Sequence, residues 1–193
     1  MNAKRFVALS VVVCSCLVAA GGTGVCQPMA KQAVIEIGAA FSQATVTKAQ
    51  MGFLGLDIQT GRMLTNGLSV GVATGCDIVS LQKVGGIYER FSVVPILAKA
   101  KYYLNVAPLM QVHASVGAGA YQTLPHLNIE PIGGMWDADL RPGGAIGVGF
   151  DYWFLGSKGL TAEFEYNFFH TGVEESSIFS YFGVRLSFGI VKT

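Results

Sequence analysis

Phe169-His170-Thr171-Gly172, followed closely by Glu174, Glu175, Ser176 and Ser177, gathers an imidazole, carboxylates and hydroxyls in one short stretch. These are the residue types of nucleophilic hydrolysis, which needs a hydroxyl within hydrogen-bond reach of its base. Ser176 or Ser177 could serve only through an unusual loop fold, so the stretch reads as a solvated loop. Glu163 and Glu165 sit at i, i+2 on one face of a strand, a spacing that glycoside hydrolysis could use. The other use of such a pair is to neutralise Lys99, Lys101 and Arg185. His113 could bind a metal or relay a proton, or simply join an interior hydrogen-bond network. His126 has no cysteine or close histidine partner, so no zinc spacing exists. Gly147-x-Gly149 lies inside a strand pattern and opens no helix, so no nucleotide loop is present. No catalytic, cofactor-binding or metal-ligating residue is expected.

The elements that must position these groups are alternating strands. In Ser180–Ile190 one register holds Phe182, Val184, Leu186, Phe188 and Ile190; the other holds Tyr181, Gly183, Arg185, Ser187 and Gly189. Successive strand side chains point to opposite faces, so one face is apolar and the other is not. The same reading predicts strands over Val34–Gln43, Met51–Thr60, Gly67–Thr74, Arg90–Leu104, Leu109–Tyr121, Gly144–Leu155 and Leu160–Phe169. The longer connections are then Gly75–Tyr88, Gln122–Gly143 and His170–Ser177. Pro95 lacks an N–H for the ladder, which predicts a bulge or local break in its strand.

The chain has 193 residues, enough for one domain of ordinary size. Charged residues are 13% of it, about half the typical ~25%. Mean hydropathy is +0.47, yet no run of ~18 apolar residues follows the N-terminus. Half-apolar transmembrane strands produce that combination. A formal net charge of +1 gives no footprint for nucleic acid. Lys4 and Arg5, then the apolar stretch from Phe6 to Ala20, read as an export signal over residues 1–20, with cleavage as late as Gly24 as a second choice. The barrel domain then spans residues 33–193. Cys14 and Cys16 leave with the signal; Cys26 and Cys76 read as unrelated thiols.

Collected over the strands, the polar register holds Glu36, Asp57, Lys99, Lys101, His113, Asp151, Glu163, Glu165 and Arg185, and the apolar register holds none of these. A soluble core would not take so many charges. The polar face therefore meets water outside or lines the interior of a membrane barrel. Its many glycines favour the interior, because a narrow barrel is filled by its own side chains. Tyr102, Tyr152, Phe154 and Phe168 fall near strand ends on the apolar face, where interfacial girdles sit. The expected fold is all-β: an eight-stranded antiparallel up-and-down transmembrane barrel.

Ala100-Lys101-Tyr102-Tyr103, Val116-Gly117-Ala118-Gly119-Ala120-Tyr121 and Gly147-Val148-Gly149-Phe150-Asp151-Tyr152 resemble the small outer-membrane barrel family that includes OmpA-like, OmpX-like and "porin family" proteins. Phe182, Val184, Leu186 and Phe188 are similar to the family's C-terminal assembly signal, although here Gly189-Ile190-Val191-Lys192-Thr193 follows the final aromatic. The resemblance implies a bacterial outer-membrane location. It also implies contact with outer-membrane lipids and with the β-barrel assembly machinery. An extracellular ligand would meet loops 75–88, 122–143 or 170–177. Some members are lipid A deacylases with a His-x-Ser motif; Gly172 stands where that motif has its serine. A closed or nearly closed polar interior with a structural and surface-interaction role is the expected function. The alternatives are a deacylase-like enzyme, or a soluble exported lipid-binding barrel with Phe150 and Phe164 facing inward.

Overall fold

In the computed structural model, residues 31–45, 53–82, 88–125, 140–154, 157–170 and 178–192 are described. The expected signal segment, Cys26, His126, Trp136 and most of the loop carboxylates lie outside them. Eight strands follow in order: β1 (Ala33–Ala44), β2 (Phe53–Thr65), β3 (Leu68–Gln82), β4 (Tyr88–Ala107), β5 (Met110–Pro125), β6 (Leu140–Phe154), β7 (Lys158–His170) and β8 (Ile178–Lys192). Each pairs antiparallel with its sequence neighbours, and β1 also pairs with β8 from Ala33↔Lys192 to Ala44↔Tyr181. The sheet is a closed barrel. Closure leaves no unpaired edge, which a strand structure in hydrocarbon requires. No helix among the described residues is long and apolar enough to cross a membrane; the strands cross instead.

The two ends differ. Residues 66–67 and 108–109 make brief turns, and residues 155–157 are an equally short connection, at the end where β1 begins and β8 ends. Residues 45–52, 83–87, 126–139 and 171–177 connect strands at the other end. In outer-membrane barrels the short turns lie on the periplasmic side.

Several expected boundaries are corrected. Residues 75–82 belong to β3 and Tyr88 to β4, so the expected loop 75–88 shrinks to 83–87. Likewise 122–125 continue β5 and 140–143 begin β6. Gly75-Cys76-Asp77 and Pro142-Gly143-Gly144 imitate turn signals, but in a barrel these small and polar residues continue the ladder. At Pro95 the ladder with β3 jumps from Thr74↔Ile96 to Asp77↔Val93 and keeps its register. The ladder with β5 is unbroken through Pro95↔Tyr121. The effect is a local break on the N–H side, without a bulge.

The alternation becomes an outside and an inside. Ile37, Leu56, Val116, Val148 and Leu186 are each more than half exposed on the outer wall. The charged residues of the opposite register are buried within the barrel. Phe164 is 47% exposed and faces outward, which contradicts a soluble carrier with that residue turned in. Phe164, Tyr166, Phe168 and Phe182 form a continuous run of ring contacts on the outer wall of β7 and β8, at 5.1–6.1 Å between centroids. Tyr102 is exposed on the outer wall, whereas Tyr152 is covered, stacked on Phe154 at 6.2 Å.

Candidate functional site: the barrel interior

Glu36, Asp57, Lys99, Lys101, His113, Asp151, Glu163, Glu165 and Arg185 all lie inside the barrel, none more than 4% exposed. They come from seven strands but meet in one layer. On β4, Lys101 Nζ reaches Glu36 Oε2 of β1 at 2.8 Å and Glu163 Oε2 of β7 at 3.4 Å. Two residues away, Lys99 Nζ reaches Glu163 Oε1 at 2.9 Å and also pairs with Glu165. Arg185 of β8 uses both terminal nitrogens: Nη1 pairs with Asp57, while Nη2 pairs with Glu165 Oε1 at 2.9 Å and Asp77 Oδ2 at 3.4 Å. The planar guanidinium suits this fork better than an ammonium would.

His113 Nδ1 lies 2.6 Å from Asp151 Oδ2, and its Nε2 lies 3.8 Å from Glu163 Oε2. Thr161 donates to Asp151 Oδ1 at 2.6 Å and Ser115 to Glu163 Oε1 at 2.5 Å. Six carboxylates (Glu36, Asp57, Asp77, Asp151, Glu163, Glu165) thus face three permanent cations and His113. Hydroxyls and amides supply the remaining donors: Ser42 and Tyr181 on Asp77 at 3.2 and 2.7 Å, and Asn167 on Glu165 at 3.0 Å. Buried charge is tolerable only with such pairing and hydrogen bonding.

Apolar clusters lie on both sides of the ionic layer. Toward the brief turns, Val34, Met63, Tyr103, Trp153 and Val191 pack together inside the barrel. Toward the longer connections, Val79, Val93, Leu97, Tyr121, Ala145, Phe169, Phe179 and Tyr181 do the same. Polar tips of the aromatics turn to partners: Trp153 Nε1 donates to Gln111 at 2.9 Å, Tyr121 to Asn167 at 2.9 Å. The ionic layer lies between these two apolar clusters.

Two glycines make this layer possible. A Cβ on Gly149 would stand 2.4 Å from His113 Cε1, and one on Gly147 would stand 2.6 Å from both Glu163 Oε1 and Ser115 Oγ. A side chain at either position would take the space of a network member.

Asp77 and the plugs were not foreseen from the sequence. Asp77 continues the inward register Ala73, Gly75, Asp77, Val79, a signal hidden by the turn-like Gly75-Cys76 pair. The plug residues are apolar members of the polar register, and alternation alone cannot explain them. Glu163 and Glu165 are tied up in ion pairs, and the described residues contain no group of three ligating side chains able to hold a metal. Cys76 is a free, half-buried thiol within β3. Gly172, Glu174, Glu175, Ser176 and Ser177 lie outside the described residues. Phe182, Leu186 and Phe188 line the exposed outer face of β8, with Val184 half-buried between them.

A closed ladder of eight strands, an apolar outer wall and a charged interior define a membrane-spanning β-barrel of the small outer-membrane type. Solved structures share this fold. The chain is similar to the crystal structure of Neisserial surface protein A (NspA), with a TM-score of 0.61 and 13% identity over 82% of this chain and 96% of that one. It is similar to the outer membrane protein OprG from Pseudomonas aeruginosa, with a TM-score of 0.60 and 12% identity over 87% and 99% of the two chains. It is also similar to Ail, the attachment invasion locus protein of Yersinia pestis, with a TM-score of 0.55 and 15% identity over 85% and 100%. Neither a protein-family model nor a curated protein sequence matches the chain.

Proposed function

We propose that the chain is a bacterial outer-membrane barrel with an interior closed to solutes, acting as a rigid scaffold that presents its outer connections at the cell surface. The observation that carries this reading is the ionic layer sealed between two apolar plugs. An open pore needs a continuous wet path, and an eight-strand barrel has room for little beyond its own side chains. The test is conductance in planar bilayers, on protein whose folded state is verified by its unboiled gel mobility after membrane fractionation. No stable conductance step is expected. A reproducible ion-conducting step in protein with both plugs intact would refute closure.

Residues 1–20 serve in this proposal as the export signal. Phe182, Val184, Leu186 and Phe188 serve as the strand read by the assembly machinery. The surface role rests on the four outer connections; residues 45–52 and 83–87 carry one lysine each, and the charge of the other two narrows the partner. Residues 126–139 carry Glu130, Asp137 and Asp139, residues 171–177 carry Glu174 and Glu175, and neither contains lysine or arginine. Ail has been crystallised with the heparin analogue sucrose octasulfate. The acidic connections here favour a basic partner over such a polyanion. Binding of polylysine-type peptides but not heparin by whole cells, lost on Glu174→Gln/Glu175→Gln substitution, is the expected result. Retained heparin binding would refute it.

A further inference from the structure

The outer wall carries four exposed cations in one place: Lys31, Arg62, Lys158 and Lys192. Arg62 and Lys192 are both Cα partners of Ala33, one from each neighbouring strand. Adjacent strands lie about 4.8 Å apart, so these two Cα atoms are about 10 Å apart. Lys31 lies just before β1 between them, held by its backbone N–H to Met63 O at 2.8 Å with a positive φ of 72°. Lys158 of β7 pairs with Ile190, two residues up β8 from Lys192. Barrel closure makes β7, β8, β1 and β2 contiguous, so the four form one arc at the brief-turn rim.

Each cation stands near the brief-turn end of a lipid-facing column, with exposed Leu64 beyond Arg62 on β2. Lys192 continues Leu186, Phe188 and Ile190; Lys158 continues Phe164, Ala162 and Leu160. Arg62 follows Ile58 and Thr60, and Lys31 follows Ile37, Ile35 and Ala33. They therefore lie in the headgroup plane rather than on the mouth of the barrel. Every carboxylate whose side chain is described is buried inside the barrel, so none of these neutralises the arc. Among the described residues none of the four makes an ion pair. Across the same rim, β4 presents Leu104 and Val106 instead. The charge is a patch, not a girdle.

We propose that this arc is a docking site for an anionic phospholipid headgroup of the periplasmic leaflet, recognised through its phosphodiester. The inference rests on the membrane-barrel reading above. A lysine or arginine near a surface attracts anionic lipid in a salt-dependent way, and four in one arc add. Isolated snorkelling residues would be scattered round the barrel instead.

The test inserts the full barrel into phosphatidylcholine vesicles containing trace spin-labelled phosphatidylglycerol or phosphatidylcholine. The expected result is a several-fold larger motionally restricted fraction for phosphatidylglycerol. It falls to parity in K31Q/R62Q/K158Q/K192Q and survives in the charge-keeping K31R/R62K/K158R/K192R. Parity in the native barrel, or a preference untouched by the glutamine substitutions, overturns the site. So does a preference for labelled lipid A, or for a polyglutamate peptide, over phosphatidylglycerol. Should the glutamine variant not fold, a native preference unmoved by raising salt tenfold overturns it equally. Failure of the native chain to insert at all overturns the membrane reading and this site together; insertion without preference overturns only the site.

Discussion

Arg185→Met removes the cation that holds three carboxylates at once. Arg185 touches Asp57, Asp77 at 3.4 Å and Glu165 at 2.9 Å, and is 4% exposed. A contact near 3 Å is worth about 5 kcal/mol gross at an effective dielectric of about 20, most of it offset by desolvation. Glu165 keeps Lys99 as a partner, but Asp57 loses its cation and Asp77 keeps only hydroxyl donors. Deleting one partner of a buried pair costs about 3–5 kcal/mol, because the other charge is left uncompensated. Against a typical total of about 5–15 kcal/mol, that loss is large.

The assay is urea unfolding of the barrel in phospholipid vesicles, followed by the unboiled gel band and by tryptophan emission. Arg185→Met should lower the unfolding free energy by about 3–5 kcal/mol. Adding Asp57→Asn and Asp77→Asn to that variant should return about half of the loss, because the stranded charges are gone. Arg185→Lys should retain only part, since an ammonium cannot fork between separate carboxylates. A loss below about 1 kcal/mol, in the range of exposed pairs, would mean that the ions are solvated. No recovery in the triple variant would mean the same: the ionic layer would not be shielded from water.

Gly149→Ala should cost about 1–3 kcal/mol by driving a methyl into the His113 ring 2.4 Å away, while Gly183→Ala, whose nearest neighbour is 3.7 Å off, should cost little; paired urea midpoints check the contrast. Leu186→Arg, on a mid-strand position 59% exposed to lipid, should cost about 2–4 kcal/mol in vesicles. Trp153 is 1% exposed inside the barrel, so brominated lipids should quench it weakly. A Phe164→Trp probe, in a background with Trp136 and Trp153 replaced by phenylalanine, should be strongly quenched, and equal quenching at both sites would refute the inside–outside assignment.

Strand interiors were legible because alternation is local. Val112, Ala114 and Val116 against Gln111, His113 and Ser115 need no knowledge of the rest of the chain. Strand ends were not. β3 runs on to Gln82 and β4 from Tyr88 to Ala107, well past the expected Thr74 and the expected Arg90–Leu104. Barrel strands extend beyond the hydrocarbon, where glycine, proline and polar residues mimic loop chemistry. The membership of the ionic layer was legible as a list of types on one face, whereas its pairing was not. Lys101 meeting Glu36, 65 residues away, depends on strand stagger around the closed sheet, which no local pattern encodes. The plugs were invisible for the opposite reason. Met63, Tyr103 and Trp153 look like lapses in a polar register until the barrel brings them together.

That stagger is where the interior contributes most. A strand can slip by two residues and keep its inside–outside alternation, and lipid on the outer wall would scarcely distinguish the two states. The interior does distinguish them. Sliding β4 by two positions toward its N-terminal end would carry Lys101 to the level of Lys99, facing Glu165 and leaving Glu36 without its cation. Tyr103 would then enter the ionic layer, and Leu97 would leave its place among Val93, Tyr121 and Tyr181. The ionic contacts and one member of each plug would be lost in a single move. Salt bridges from β4 to β1 and β7, and from β8 to β2, β3 and β7, therefore act as a register lock between strands that share no ladder as well as those that do. Buried polar groups are best attested in this role of fixing register, and here the gain in specificity accounts for an interior that apolar side chains alone could have filled.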